Sequence, residues 1–174
     1  KEFKLLPNFN VENWSTFISG SPFLFNDYKE GEEIDHLDGQ TIEEAEHQIA
    51  TRLYQNNARV HFNQHIEKDG RFKKRIIYGG YIISLARAIS CNGLANTFKL
   101  AAIHSGKHSS PTFSGDTIYA WSKILSKEQI NDKIGAMMVR TLASKNDSKM
   151  IFPEKDNLSD NIVLDLEYSV LIPI

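Results

Sequence analysis

A chain of 174 residues with 41% hydrophobic and 24% charged side chains can bury one sizeable core, and its ten Phe, six Tyr and two Trp argue against disorder. A formal net charge of −2 lacks the basic excess of a dedicated nucleic-acid binder, and no apolar run reaches the roughly 18–20 residues that cross a bilayer. The single cysteine, Cys91, excludes an internal disulfide and fits a reducing cytoplasm.

The first 25 residues differ from the rest. Pro7 and Pro22 stand among Asn8, Asn10, Asn13, Ser19, Gly20 and Ser21, a composition for turns and extended chain. Phe3, Leu5, Leu6, Phe9, Trp14, Phe17, Phe23 and Phe25 are nevertheless too apolar for a free linker. The expectation is an arm or connector over 1–22, pinned to a surface by aromatic anchors, ahead of a domain over 23–174. The chain starts at Lys1 with neither an initiator Met nor a signal-peptide pattern, so a longer parent polypeptide is expected.

Thr41 and Glu44 fit a capping box, and Ile42, Ala45, Ile49, Ala50 and Leu53 recur at helical spacing. An amphipathic helix is therefore predicted from Thr41 to about Tyr54–Asn57. Residues 63–75 are charged and read as surface loop. A second helix is predicted over roughly 81–94, apolar on nearly every face through Ile82, Ile83, Leu85, Ala86, Ala88, Ile89 and Leu94, as in a helix wrapped by other structure. Gly79 and Gly80 before it imply backbone that another group approaches closely. After Asn96 the period changes to two, predicting strands over 97–109, 116–127, 135–145 and 161–172. Helices first and consecutive strands afterwards suggest an α+β fold, with an antiparallel sheet curled round the apolar helix.

Two histidine pairs at a spacing of four, His61/His65 and His104/His108, raise the question of a metal. On a strand such positions lie ~13 Å apart, too far to share an ion, which disqualifies His104 with His108. The Val60-His61-Phe62-Asn63 segment looks extended, so no metal site is expected. Histidine is the usual side chain for general acid–base work at neutral pH, and His61 sits in a stretch dense in hydrogen-bonding groups. A solvated connector is the plainer reading of that stretch. The amides of Gly79 and Gly80 can polarise a carbonyl or hold an anion, against the alternative of close helix-on-strand packing. Arg71, Lys73, Lys74 and Arg75 are either a solvated face or contacts for the phosphates of a coenzyme.

Asn56-Asn57-Ala58-Arg59-Val60-His61-Phe62-Asn63, then Ile77-Tyr78-Gly79-Gly80 and Phe113-Ser114-Gly115-Asp116-Thr117, resemble the hydratase signature of the MaoC-like hot-dog family in order and spacing. Asp35-His36-Leu37-Asp38-Gly39, Glu43 through Asn56, Ile83 through Ala88, Asn92 through Asn96 and Gly115 through Ser122 look similar to the C-terminal halves of mesaconyl-CoA hydratases, also called β-methylmalyl-CoA dehydratases. The resemblance implies a hot-dog fold: a bent antiparallel sheet wrapped round a long central helix. It also implies reversible hydration of an enoyl-CoA thioester carrying a mesaconyl or similar branched or dicarboxylic acyl group, with no cofactor beyond the coenzyme A of the substrate. A second hot-dog, as homodimer partner or as a missing N-terminal half, is the implied assembly.

In residue terms, the resemblance makes His61, Asn56 and Gly79 catalytic, with Gln55, Arg59, Asn63, Tyr78, Gly80, Lys74 and Arg75 around the substrate. Arg59, with Arg52 close by in sequence, is the candidate for a free acyl carboxylate. Two positions depart from the simple family pattern. Asn56 stands where an Asp is usual, and Tyr78 where a His usually precedes the helix glycine. Asn orients water but takes no proton. Catalysis by His61 with Asn56 as a positioning partner, a base from elsewhere, and a non-catalytic acyl-CoA-binding half all follow as readings.

Overall fold

The computed structural model describes residues 10–149, 151–153 and 158–174. Runs of β-branched and aromatic residues after Asn96 fold as four long strands, β3 (Lys99–His108), β4 (Thr117–Gln129), β5 (Ile134–Lys145) and β6 (Ile162–Pro173), preceded by short β1 (Glu33–Asp35) and β2 (Gln40–Thr41). All pair antiparallel in one sheet, ordered β1-β4-β5-β6-β3, with β2 also along β4. The helices are α1 (Thr16–Ser19), α2 (Glu44–Leu53), α3 (Gln64–Glu67), α4 (Gly79–Ile89) and α5 (Cys91–Leu94).

Alternation decides where the core forms. Leu164, Leu166, Tyr168, Val170 and Ile172 of β6 share one cluster with Ile118, Ile124, Met137 and Val139 of the neighbouring strands and with Ile82, Leu85 and Ala86 of α4. Register shifts in β3, β4 and β6 mark bulges, which bend a strand and increase its twist. The result is the hot-dog architecture expected, with α4 laid against the sheet.

Four local expectations are corrected. Thr41 does not open a helix: it pairs with β4, its hydroxyl 2.8 Å from that of Thr117, and α2 starts at Glu44 with no side-chain cap from Glu43. Strand pairing claims the backbone that a capping box would have used. The buried face of α2 is His47, Ala50 and Thr51, while Ile49 and Leu53 are 56% and 72% exposed. Small residues allow the close approach to α4, so the larger apolar ones point outward. The 81–94 helix is two pieces, broken at Asn92 and Gly93, where φ is 107°. A Cβ at Gly93 would lie 2.7 Å from Ile34, so only glycine passes beneath β1 there. Ser84 and Ala88 stay exposed, so the sheet covers α4 on one side. Finally, Arg59–His61 is a 3₁₀ turn, not extended chain.

Phe3, Leu5, Leu6 and Phe9 lie outside the described residues. Of the described arm, Val11 is buried and Trp14 packs on Phe98, with ring centres 5.6 Å apart. The Trp14 indole N–H donates to Asn96 Oδ1 at 2.8 Å, and the buried Asn96 amide donates on to the Ser21 and Phe23 carbonyls. Phe17 is 93% exposed and is not buried by the other described residues.

A line of polar groups crosses the inner face of the sheet. The Asn92 carbonyl can only accept, so the His36 Nδ1 2.5 Å away carries the proton and Nε2 accepts from Ser122 (2.8 Å). Ser122 in turn accepts from Thr141 (2.7 Å) and Thr141 from Tyr168 (2.9 Å). Burial lowers the His36 pKa, against the pull of the Asn92 bond and of Asp35, which keeps that direction of donation. Ser122→Ala breaks the line in the middle and strands a buried acceptor and a buried donor, at an expected cost of about 1–3 kcal/mol in urea unfolding. Lys123→Ala, which removes a partly exposed bridge to Glu33 and a contact 5.7 Å from the Phe152 ring centre, should cost about 1 kcal/mol or less.

Candidate active site

The site is built on the first turn of α4. Tyr78 is its N-cap in extended backbone, and the Tyr78 N–H donates to Nε2 of His47 at 2.8 Å. That bond requires an unprotonated Nε2, so the His47 proton sits on Nδ1. The side chain is 1% exposed, and burial together with repulsion from His61 pushes its pKa down to about 4. With Tyr78 satisfied, the next amides, those of Gly79 and Gly80, have no acceptor among the described residues and face outward at the positive end of the helix. A Cβ on Gly80 would meet the Tyr78 ring at 2.6 Å, so the pair of glycines keeps the turn bare on both sides.

His61 ends the 3₁₀ turn after α2. Its Nδ1 lies 3.0 Å from the Ile76 carbonyl, which fixes the proton there and leaves Nε2 of the neutral ring as an acceptor. The Gln48 amide, reaching across from α2, donates to the His61 carbonyl at 2.9 Å. His61 and Gly79 line one pocket of about 330 Å³, whose apolar wall is Ile76, Ile77 and Ile82 and whose far side is His108. The Tyr78 ring stands 5.6 Å from His61 and 6.4 Å from Tyr54, closing one flank. An imidazole nitrogen opposite free helix amides can move a proton beside a polarised carbonyl.

Asn56 is placed differently. Its Oδ1 accepts from the Ala58 N–H at 2.8 Å, and it lines a separate depression of about 670 Å³ with Gln55, Gln48 and Arg75. Gln55 there adopts φ 52°. Arg75 is ion-paired with Glu44 and donates to the Phe62 carbonyl at 3.2 Å, while its Nε is buried without an acceptor. Other residues named from the sequence serve local structure: Asn63 caps α3, Arg59 sits 4.0 Å from Glu67, and Lys74 lies 4.2 Å over the Phe113 ring. Among the described residues no three His, Cys, Asp or Glu side chains converge to hold a metal, and no helix is long and apolar enough to cross a membrane.

Two residues at the site escape a sequence reading. His47 looks like one more polar position on a charged helix, and its only signal is its spacing with Ala50 and Thr51 on the small face. His108 stands at the end of β3, and nothing local ties it to Gly79. The His47 imidazole should titrate near 4 by NMR. Because the folded form holds it below the ordinary value of about 6.5, its contribution to stability is complete above pH 6.5 and is lost as pH falls toward 4. In His47→Gln the corresponding part of the fall in Tm between pH 7 and pH 4.5 should disappear.

No family model matches the chain. It is 57% identical over 169 residues to β-methylmalyl-CoA dehydratase of Chloroflexus aurantiacus, covering 94% of this chain and 48% of that protein. It is 44% identical over 159 residues to mesaconyl-CoA hydratase of Cereibacter sphaeroides, covering 90% of this chain and 46% of that one. A crystal structure of a MaoC domain protein dehydratase from Chloroflexus aurantiacus superposes with a TM-score of 0.91 at 54% identity, over 97% of this chain and 50% of that one. The chain thus spans about half the length of the curated relatives it matches. Aligned over nearly its whole length at these identities, with the same fold, the chain matches one half of these MaoC-like hot-dog proteins.

Proposed function

We propose that the chain is one half of a hydro-lyase that adds water to, and removes it from, an enoyl-CoA thioester. The acyl group is branched or dicarboxylic, of the mesaconyl/β-methylmalyl kind named for the relatives. One observation carries the reading: the His61 ring, its Nδ1 held by the Ile76 carbonyl, and Gly79, whose amide has no acceptor among the described residues, line a single pocket with an apolar wall.

The chemistry follows from that pairing. Loss of water beside a thioester drives negative charge onto the carbonyl oxygen, and the Gly79 amide, at the positive end of α4, receives it. His61 exchanges the proton of the attacking or departing water. The substrate brings coenzyme A, and no other cofactor is invoked. Of the cations around the site, Arg75 has an unused buried Nε and is the choice for an anionic group of the substrate. The exposed free thiol of Cys91 suits a reducing cytoplasm.

The working unit in this reading contains a second hot-dog, either the other half of a longer polypeptide or another copy. Among the described residues strand β3 pairs on one side only, with β6, and it carries Leu100 and Ile103 at 39% and 55% exposure. In the assembly, His61→Ala should lower hydration of mesaconyl-CoA by ~10²–10⁴-fold. A fall under ~10-fold would assign the chemistry to the partner half, a reading favoured by the engagement of Asn56 with its own backbone. Sedimentation at micromolar concentration should show the chain paired, and a lone monomer would contradict the shared sheet edge.

A further inference from the structure

We infer that His108 is a second acid–base residue of this reaction, acting on the hydrogen of the carbon next to the thioester, while His61 acts on the water. The inference rests on the hydro-lyase reading above and completes it. Adding water across a double bond moves a proton at two places, the oxygen and the α-carbon. Asn56 takes no proton, and its oxygen is already bonded to the Ala58 N–H. Among the residues lining the pocket, His61 and His108 are the two imidazoles, the side chains suited to both taking up and giving back a proton.

The geometry places His108 at the right atom. A Cβ built on Gly79 would lie 2.7 Å from Nε2 of His108 and 3.0 Å from the two carbons flanking it. The tip of the ring is therefore packed against the Cα of the residue whose amide would hold the thioester oxygen. The α-carbon of a bound acyl group is one bond from that carbonyl carbon, and the β-carbon, which carries the hydroxyl, is one bond further. Glycine at 79 is what lets the imidazole approach. The ring also hydrogen-bonds the Val163 backbone, and burial lowers its pKa, which favours the neutral, proton-accepting form. His61 and His108 are thus held alike: each ring is tied to the backbone, and both residues line the pocket.

In the dehydration direction, Nε2 of His108 takes the α-hydrogen as a proton, and the C–H electron pair moves onto the thioester oxygen at the Gly79 amide. The pair then returns to form the Cα–Cβ double bond as the C–O bond breaks. The hydroxyl leaves as water with a proton from Nε2 of protonated His61. Solvent returns the proton from His108 to His61, and hydration is the reverse.

The test uses the intact assembly with an enoyl-CoA substrate. His108→Ala and His108→Gln should each lower kcat by ~10²–10⁴-fold with KM and coenzyme A-ligand binding changed less than ~3-fold. Added imidazole should restore turnover in His108→Ala, since the truncation leaves a hole of its shape beside Gly79. Turnover within ~5-fold of wild type in His108→Ala overturns the assignment, and so does a loss that imidazole leaves unrepaired, which marks a structural role. An active wild type with a tolerant His108 removes His108 alone. A wild type inactive on every enoyl-CoA removes the hydro-lyase reading with it.

Discussion

The seating of α4 on the sheet is the contact on which the rest depends. Ile82, Leu85 and Ala86 give their apolar surface to β4, β5 and β6, each larger side chain contributing on the order of 1.5–3 kcal/mol by burial. That packing decides more than stability. It sets the direction of the helix axis and therefore the spot where the unpaired first-turn amides point. A helix free to shift by one residue would present a different pair of amides, so the site inherits its position from an apolar contact.

Polar groups then refine what packing roughly places. His47 satisfies the Tyr78 amide and thereby selects Gly79 and Gly80 as the amides left open. It does so only while neutral, and its burial guarantees that. His61 takes its tautomer from the Ile76 carbonyl and its place from Gln48 on α2. On the other side of α4, His36 takes its tautomer from Asn92 and orders three hydroxyls behind it. In each case a backbone group, fixed by the fold, decides which imidazole nitrogen carries the proton. The protein thus uses histidines as directed hydrogen-bonding elements at three points around one helix.

The chain leaves apolar surface uncovered where the family relationship leads one to look for a neighbour. Leu100 and Ile103 project from the unpaired side of β3, and Ile49 and Leu53 project from α2. These are residues that a self-sufficient domain would bury. The chain spans about half the length of these relatives.

Local pattern determined the elements. The change of period after Asn96 located the four long strands to within a few residues, and the all-apolar run after Gly80 located α4, because both signals come from burial that every turn or alternate residue reports. The motif around His61 and Gly79 was likewise legible, since it lies within two short stretches. Other features were decided only in three dimensions. Thr41 chose β2 over a helix cap because β4 offered it a partner, and α2 turned its small face inward because α4 lay close. Gly93 ended the helix early because Ile34 crosses there. His47 and His108 joined the site because α2 and the end of β3 meet the first turn of α4, a meeting between distant segments that no local spacing records. The sequence by itself therefore determined which segments are helix and strand and where one candidate motif lies. The tertiary structure decided which histidines face that motif, because proximity across a sheet depends on packing and register, not on distance along the chain.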